Sequence, residues 1–69
     1  MADEINPRHY KRNPSNIECI EVAQHFNFNR GNAIKYVWRA GMKDPDNEAQ
    51  DLKKAKWYLE QEIARLESL

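Results

Sequence analysis

The chain has 69 residues and equal counts of basic and acidic side chains, eleven each, so its formal net charge is zero. That balance argues against non-specific binding to a long nucleic acid, because such affinity comes from neutralising many phosphates. One domain is the only sensible count, and a core of this size rarely contributes more than ~3–5 kcal/mol without disulfides, metal or oligomerisation. The single cysteine, Cys19, excludes an intramolecular disulfide and fits a reducing compartment.

Residues 1–14 carry Pro7, Pro14 and the cluster Arg8-His9-Tyr10-Lys11-Arg12, with no helical period, and read as an extended arm. Ser15-Asn16-Ile17-Glu18 has the pattern of a capping box, which predicts a first helix from near Asn16 to about Phe26. Its apolar positions are Cys19, Ile20, Val22, Ala23 and Phe26. Asn29 is the expected N-cap of a second helix running from about Arg30 to Ala40, with Gly41 as its stop. Asp44 then caps a third helix, with Pro45 at its first position and an end near Glu67. Leu52, Ala55, Leu59, Ile63 and Leu66 form the apolar seam of that helix. Trp57 falls outside the seam, either under the arm or in a subunit interface.

No repeat, low-complexity tract or strand-like alternation interrupts this pattern. The expected fold is all-α: one domain over residues 1–69, with an extended arm at 1–14 and a three-helix core at 15–67. A chain so short points to a homo-oligomer, and a sizeable pocket would call for a second copy. No apolar run approaches the ~20 residues that cross a bilayer, and residues 1–10 lack the apolar core of a signal peptide. A cytoplasmic protein without a membrane partner is expected.

Several chemistries are missing. With only Gly31 and Gly41 in the chain, no phosphate-cradling Gly-x-x-x-x-Gly-Lys-Ser/Thr loop exists. The only serines are Ser15, a cap candidate, and Ser68, near the chain end, which speaks against a Ser-His-Asp hydrolase. Asp44, Asp46, Glu48 and Asp51 surround a helix start, where they complement its dipole, so neither metal nor cofactor is expected. Cys19 reads as a small buried hydrophobe and His25 as a residue closing the first helix. His9 is the one candidate for general acid or base chemistry.

The remaining side chains suit an anion. Residues 1–43 hold seven Lys/Arg against four Asp/Glu, whereas residues 44–69 hold four against seven. Within the basic part, Asn32, Lys35, Tyr36 and Arg39 recur at i, i+3, i+4 and i+7, so a helix stacks them in one stripe. Ala33, Ile34, Val37 and Trp38 are expected to face inward, with Trp38 also placed to edge a pocket at a subunit boundary. Arg39 can grip a phosphate with two parallel N–H bonds. Arg30, Gly31 and Asn32 add first-turn amides. The arm adds His9, Tyr10, Lys11 and Arg12, with the ring of Tyr10 or His9 able to stack on a base. The competing reading is a solvated face in which Lys35 and Arg39 pair with Glu60 or Glu62.

The ordered motifs His9-Tyr10-Lys11, Ile17-Glu18-Cys19-Ile20, Gly31 to Gly41 (GNAIKYVWRAG), Asp51-Leu52-Lys53-Lys54-Ala55 and Trp57-Tyr58-Leu59 resemble a family of small phage domains, the domain of unknown function 3310 family. That family includes the carboxy-terminal part of a phage nucleotide kinase acting on deoxynucleoside monophosphates. The resemblance runs from His9 to about Leu66 and implies phage origin, oligomeric assembly and nucleotide handling in the cytoplasm of an infected host. The leading expectation is a protein that binds and sequesters a phosphorylated nucleotide or a cyclic (di)nucleotide signal. Lys35, Arg39 and Lys11 would take the phosphates, and Tyr10, Tyr36 or Trp38 the base. A kinase-like phosphotransferase and a protein–protein adaptor docking through the third helix are the alternatives.

Overall fold

The computed structural model describes residues 13–42 and 44–69. Among these residues three α-helices follow one another, α1 (Cys19–Ala23), α2 (Phe28–Arg39) and α3 (Glu48–Glu67), with a 3₁₀ turn at Pro45–Asn47 leading into α3. Among the described residues there is no strand, and no helix is long and apolar enough to cross a membrane. The arm positions 1–12 lie outside the described residues.

The first helix is shorter than its apolar pattern suggests. Residues 13–16 form a turn, closed by the Asn16 amide donating to the Asn13 carbonyl at 2.8 Å. Asn16 sits at φ 65°, a left-handed conformation that asparagine tolerates and a helix does not. Ser15 Oγ accepts from the Ile17 amide, not from Glu18. The capping box instead belongs to Glu18 and Glu21, the Glu18 amide donating to Glu21 Oε2 at 3.0 Å. Beyond Ala23 the hydrogen bonds of His25 and Phe26 reach back three residues, and the helix ends there. His25 lies exposed in this turn.

The second helix begins at Phe28 because Asn27, not Asn29, is the cap: its Oδ1 accepts from the Arg30 amide at 2.9 Å. Asn29 is instead drawn into the helix–helix contact, as described below. A Cβ on Gly31 would stand 3.1 Å from the Ala23 carbonyl oxygen, so glycine lets α1 approach α2 closely. Gly41, at φ 76°, turns the chain after α2 as expected. Asp44 accepts from the Asp46 amide and from Asn47 Nδ2, capping the turn that Pro45 opens.

The packing of α2 on α3 rests on little apolar volume. Ala33 and Ala55 are the only buried hydrophobic residues among those described, so small side chains meet where the helices cross. Asp51, Ala55 and Glu62 are buried and Tyr58 half-buried, a stripe at i, i+4, i+7 and i+11. The apolar seam expected to face inward is therefore turned away: Leu52, Leu59, Ile63 and Leu66 are 41–53% exposed, and only Ala55 packs. Val37 is likewise exposed, contrary to expectation, while Ile34 and Trp38 are half-buried. Trp57 is exposed, its ring edge against Tyr58 at 5.0 Å between centroids.

What overrides hydrophobic periodicity is Glu62. Its carboxylate accepts from Asn27 Nδ2 at 2.8 Å, Asn29 Nδ2 at 3.3 Å, and Arg65 Nε and Nη2 at 3.0 and 2.8 Å. Arg30 Nε lies 3.2 Å away. Two ends of α2's first turn are thereby tied to one point on α3, and a buried carboxylate must keep such partners because an unpaired one is costly.

Two expected outcomes follow from this packing. The hydrogen bonds from Arg65 and Asn27 hold the Glu62 carboxyl down at about 2, against an ordinary 4.5. Because the folded value is the lower one, its stabilisation is complete above about pH 4.5 and is lost as pH falls towards 2. Urea denaturation across that window should show a falling midpoint in the native chain. Glu62→Gln should start lower at neutral pH and lack that part of the acid dependence. Gly41→Ala, which forces an alanine into the left-handed region, should cost about 1 kcal/mol or more in the same assay.

Candidate functional site

The four α2 side chains read as a ligand stripe do share one face, and the structure adds a second helix to them. Tyr36 is half-buried and stacks on Tyr58 of α3, with ring centroids 5.9 Å apart and planes 13° from parallel. Around the Tyr36 ring stand three cations: Lys35 Nζ at 4.9 Å, Lys54 Nζ at 5.4 Å and Arg39 Cζ at 5.5 Å from its centroid. Attraction of a cation to a ring face contributes ~0.5–1 kcal/mol at exposed sites. Crowding three like charges opposes it.

Among the described residues no carboxylate forms an ion pair with these three cations, and the ion pairs joining one described residue to another all involve Glu62 with Arg30 or Arg65. The solvated-face reading therefore loses both named partners, since Glu62 is committed to Arg30 and Arg65 and Glu60 makes no ion pair with Lys35 or Arg39. Arg39 Nε is buried and has no hydrogen-bond partner. Such an atom costs stability unless a partner arrives.

The other candidates fall out differently. Asn32 is half-buried and turns its Nδ2 back onto the Phe28 carbonyl at 2.8 Å, which leaves its Oδ1 as the outward group. The first-turn amides are less free than expected: Arg30 donates to Asn27 Oδ1 and Gly31 to the Asn27 carbonyl at 2.7 Å. The helix N-terminus is thus filled by its own cap. His9, Tyr10 and Lys11 lie outside the described residues. Among the described residues, no three of His, Cys, Asp and Glu gather as metal ligands would.

Sequence reasoning missed Lys54 and Tyr58. Both belong to the quoted motifs, but their role depends on which face of α3 meets α2, and hydrophobic periodicity chose the wrong one. Tyr58 also borders an open groove of about 540 Å³ with Phe28, Trp57, Gln61 and Arg65. Phe28 meets Tyr58 edge-on at 6.0 Å, so an aromatic run leads from the groove to the cation cluster.

Cys19 is half-buried, and burial pushes its thiol above the ordinary value while the Lys35 charge pulls it down. A raised thiol pKa means little thiolate at neutral pH, as suits a packing residue.

The chain belongs to the family described as protein of unknown function (DUF3310), whose model matches residues 5–60. No curated protein and no solved structure matches it.

Lys35 can be located in solution through Cys19. Lys35→Gln removes the charge that lowers the thiol pKa, so alkylation of Cys19 by iodoacetamide near pH 8 should slow in the folded variant. An unchanged rate would place Lys35 away from Cys19.

Proposed function

We propose that this member of the DUF3310 family is a small nucleotide-binding protein that takes up a phosphorylated nucleotide or cyclic (di)nucleotide and holds it unchanged, working as a homo-oligomer. The observation that carries the reading is the convergence of Lys35, Arg39 and Lys54 on Tyr36 without a carboxylate among the described residues. An anionic ligand would replace mutual repulsion with attraction, and a phosphate oxygen would give the buried Arg39 Nε its partner. The guanidinium suits a phosphate because its donors lie in one plane and reach two oxygens at once.

The aromatic run supports the other half of the ligand. Tyr36 and Tyr58 lie stacked beside the cations, a ring pair that a base would extend, and base–aromatic stacking contributes ~1–3 kcal/mol per base while tolerating base identity. His9, Tyr10 and Lys11, which lie outside the described residues, would add one cation and two rings for the ligand. In the phage setting that the resemblance implies, holding a host nucleotide signal is useful in itself, and it requires affinity without a nucleophile or a metal.

One observation favours a second reading. The exposed Leu52, Leu59 and Ile63 are what a protein–protein adaptor would display on α3. Such an adaptor would leave the cation cluster without a ligand.

Calorimetry with nucleoside mono-, di- and triphosphates and cyclic dinucleotides, followed by chromatography of the recovered ligand, separates these readings. Saturable uptake with the ligand returned unchanged is the expected result. Product beyond one equivalent per site would overturn it in favour of phosphoryl transfer to a nucleoside monophosphate, and silence across the panel would favour the adaptor. Arg39→Ala should weaken binding tenfold or more, since hydrogen bonds to a charged group contribute ~1.5–3 kcal/mol and each tenfold is about 1.4 kcal/mol. Circular dichroism of that variant should remain helical.

A further inference from the structure

On the outward face of α3, Leu52, Leu59 and Leu66 stand seven residues apart with Ile63 beside them, and all four are about half-exposed. Leucines at that interval line the seam between two packed helices. Beside this seam runs a second stripe, Lys53, Lys56, Glu60 and Glu67, all exposed. None of these four makes an ion pair with another described residue.

The order of the charges is informative. Lys53 and Glu67 lie on either side of residue 60, Lys56 and Glu60 on either side of residue 58, and Leu52 and Leu66 on either side of residue 59. All three pairs share nearly one centre, and the two charged pairs invert sign across it. A surface with that property complements itself after a two-fold rotation, which is what an isologous contact between identical chains requires.

We propose that two copies of this chain pack α3 against α3 antiparallel, about a two-fold axis near Leu59. Leu59 then meets the partner's Leu59, and Leu52 meets the partner's Leu66. Lys53 faces the partner's Glu67, and Lys56 faces the partner's Glu60. In a parallel pairing the two stripes lie on opposite flanks of the seam and never meet, so the antiparallel arrangement is the one in which this charge order is used. A second copy is favoured over an unrelated protein because the match is internal to one stripe of one chain. Among the described residues only two alanines are buried as hydrophobic side chains, so apolar burial is what this part of the chain most lacks.

This inference stands apart from nucleotide binding, because Lys54 and Tyr58 face Tyr36 on a different side of α3. Sedimentation of the full chain tests it without ligand. The native chain should sediment as a dimer or an assembly of dimers. Lys53→Glu/Lys56→Glu, whose stripe is all acidic, should self-associate at least tenfold more weakly while circular dichroism shows the helices intact. Reversing all four charges (Lys53→Glu, Lys56→Glu, Glu60→Lys, Glu67→Lys) should restore self-association yet abolish pairing with the native chain. A monomeric native chain, an acidic variant that associates normally, or a reversed chain that prefers the native partner would each overturn the proposal. Calorimetry on the same samples reports nucleotide uptake separately, so loss of one property leaves the other readable.

Discussion

Four side chains converge on the Glu62 carboxylate, Asn27 and Asn29 from one helix end, Arg30 from the same turn and Arg65 from one turn further along α3. The two helices they join bury only Ala33 and Ala55 as hydrophobic residues, so shape-filling side chains do little to choose how the helices face each other. Small residues permit many rotations of α3 about its own axis; a buried carboxylate with directional donors permits few. A polar network of this kind sets specificity more than it adds stability, because much of what it gains is offset by desolvation. Asp51, buried in the first turn of the same helix, complements the helix dipole while sharing the inward stripe.

Two consequences of that rotation lie on opposite sides of α3. Inward, it brings Lys54 and Tyr58 to the Tyr36 ring, turning a stripe on one helix into a cluster built from two. Outward, it leaves Leu52, Leu59, Ile63 and Leu66 beside water. The proposed nucleotide site and the proposed self-association surface thus depend on the same clamp without overlapping. A ligand phosphate would relieve the crowded cations, and a second chain would relieve the exposed leucines.

Much of the fold was legible in the sequence because local chemistry decides it. Gly41, Asp44 and Pro45 mark the α2–α3 connection through backbone conformation and capping, and these act over a few residues. The end of α3 at Glu67 agrees with the expected one, which followed the apolar spacing as far as Leu66. The first helix was overread because apolar spacing continues to Phe26 although Asn16 and the turn after Ala23 confine the helix to five residues. Asn29 has the side chain of a cap, but the cap is Asn27, whose Oδ1 accepts from the Arg30 amide while its Nδ2, like that of Asn29, reaches Glu62 more than thirty residues away. The same long-range contact explains the misplaced seam: periodicity locates an apolar face, but the face that packs is chosen by the partner helix. Of the candidate site, Lys35, Tyr36 and Arg39 were visible as a stripe, whereas Lys54 and Tyr58 required the register.

The titration of the Glu62 side-chain carboxyl, followed by carbon-13 NMR in the folded chain, tests the clamp most directly. A midpoint near 2, with Asn27 and Asn29 side-chain amide shifts moving in the same transition, is the result this structure predicts. A midpoint near the ordinary 4.5, with those amides indifferent to it, would contradict the clamp. The rotation of α3 that places both Lys54 and the leucine seam would then have no cause.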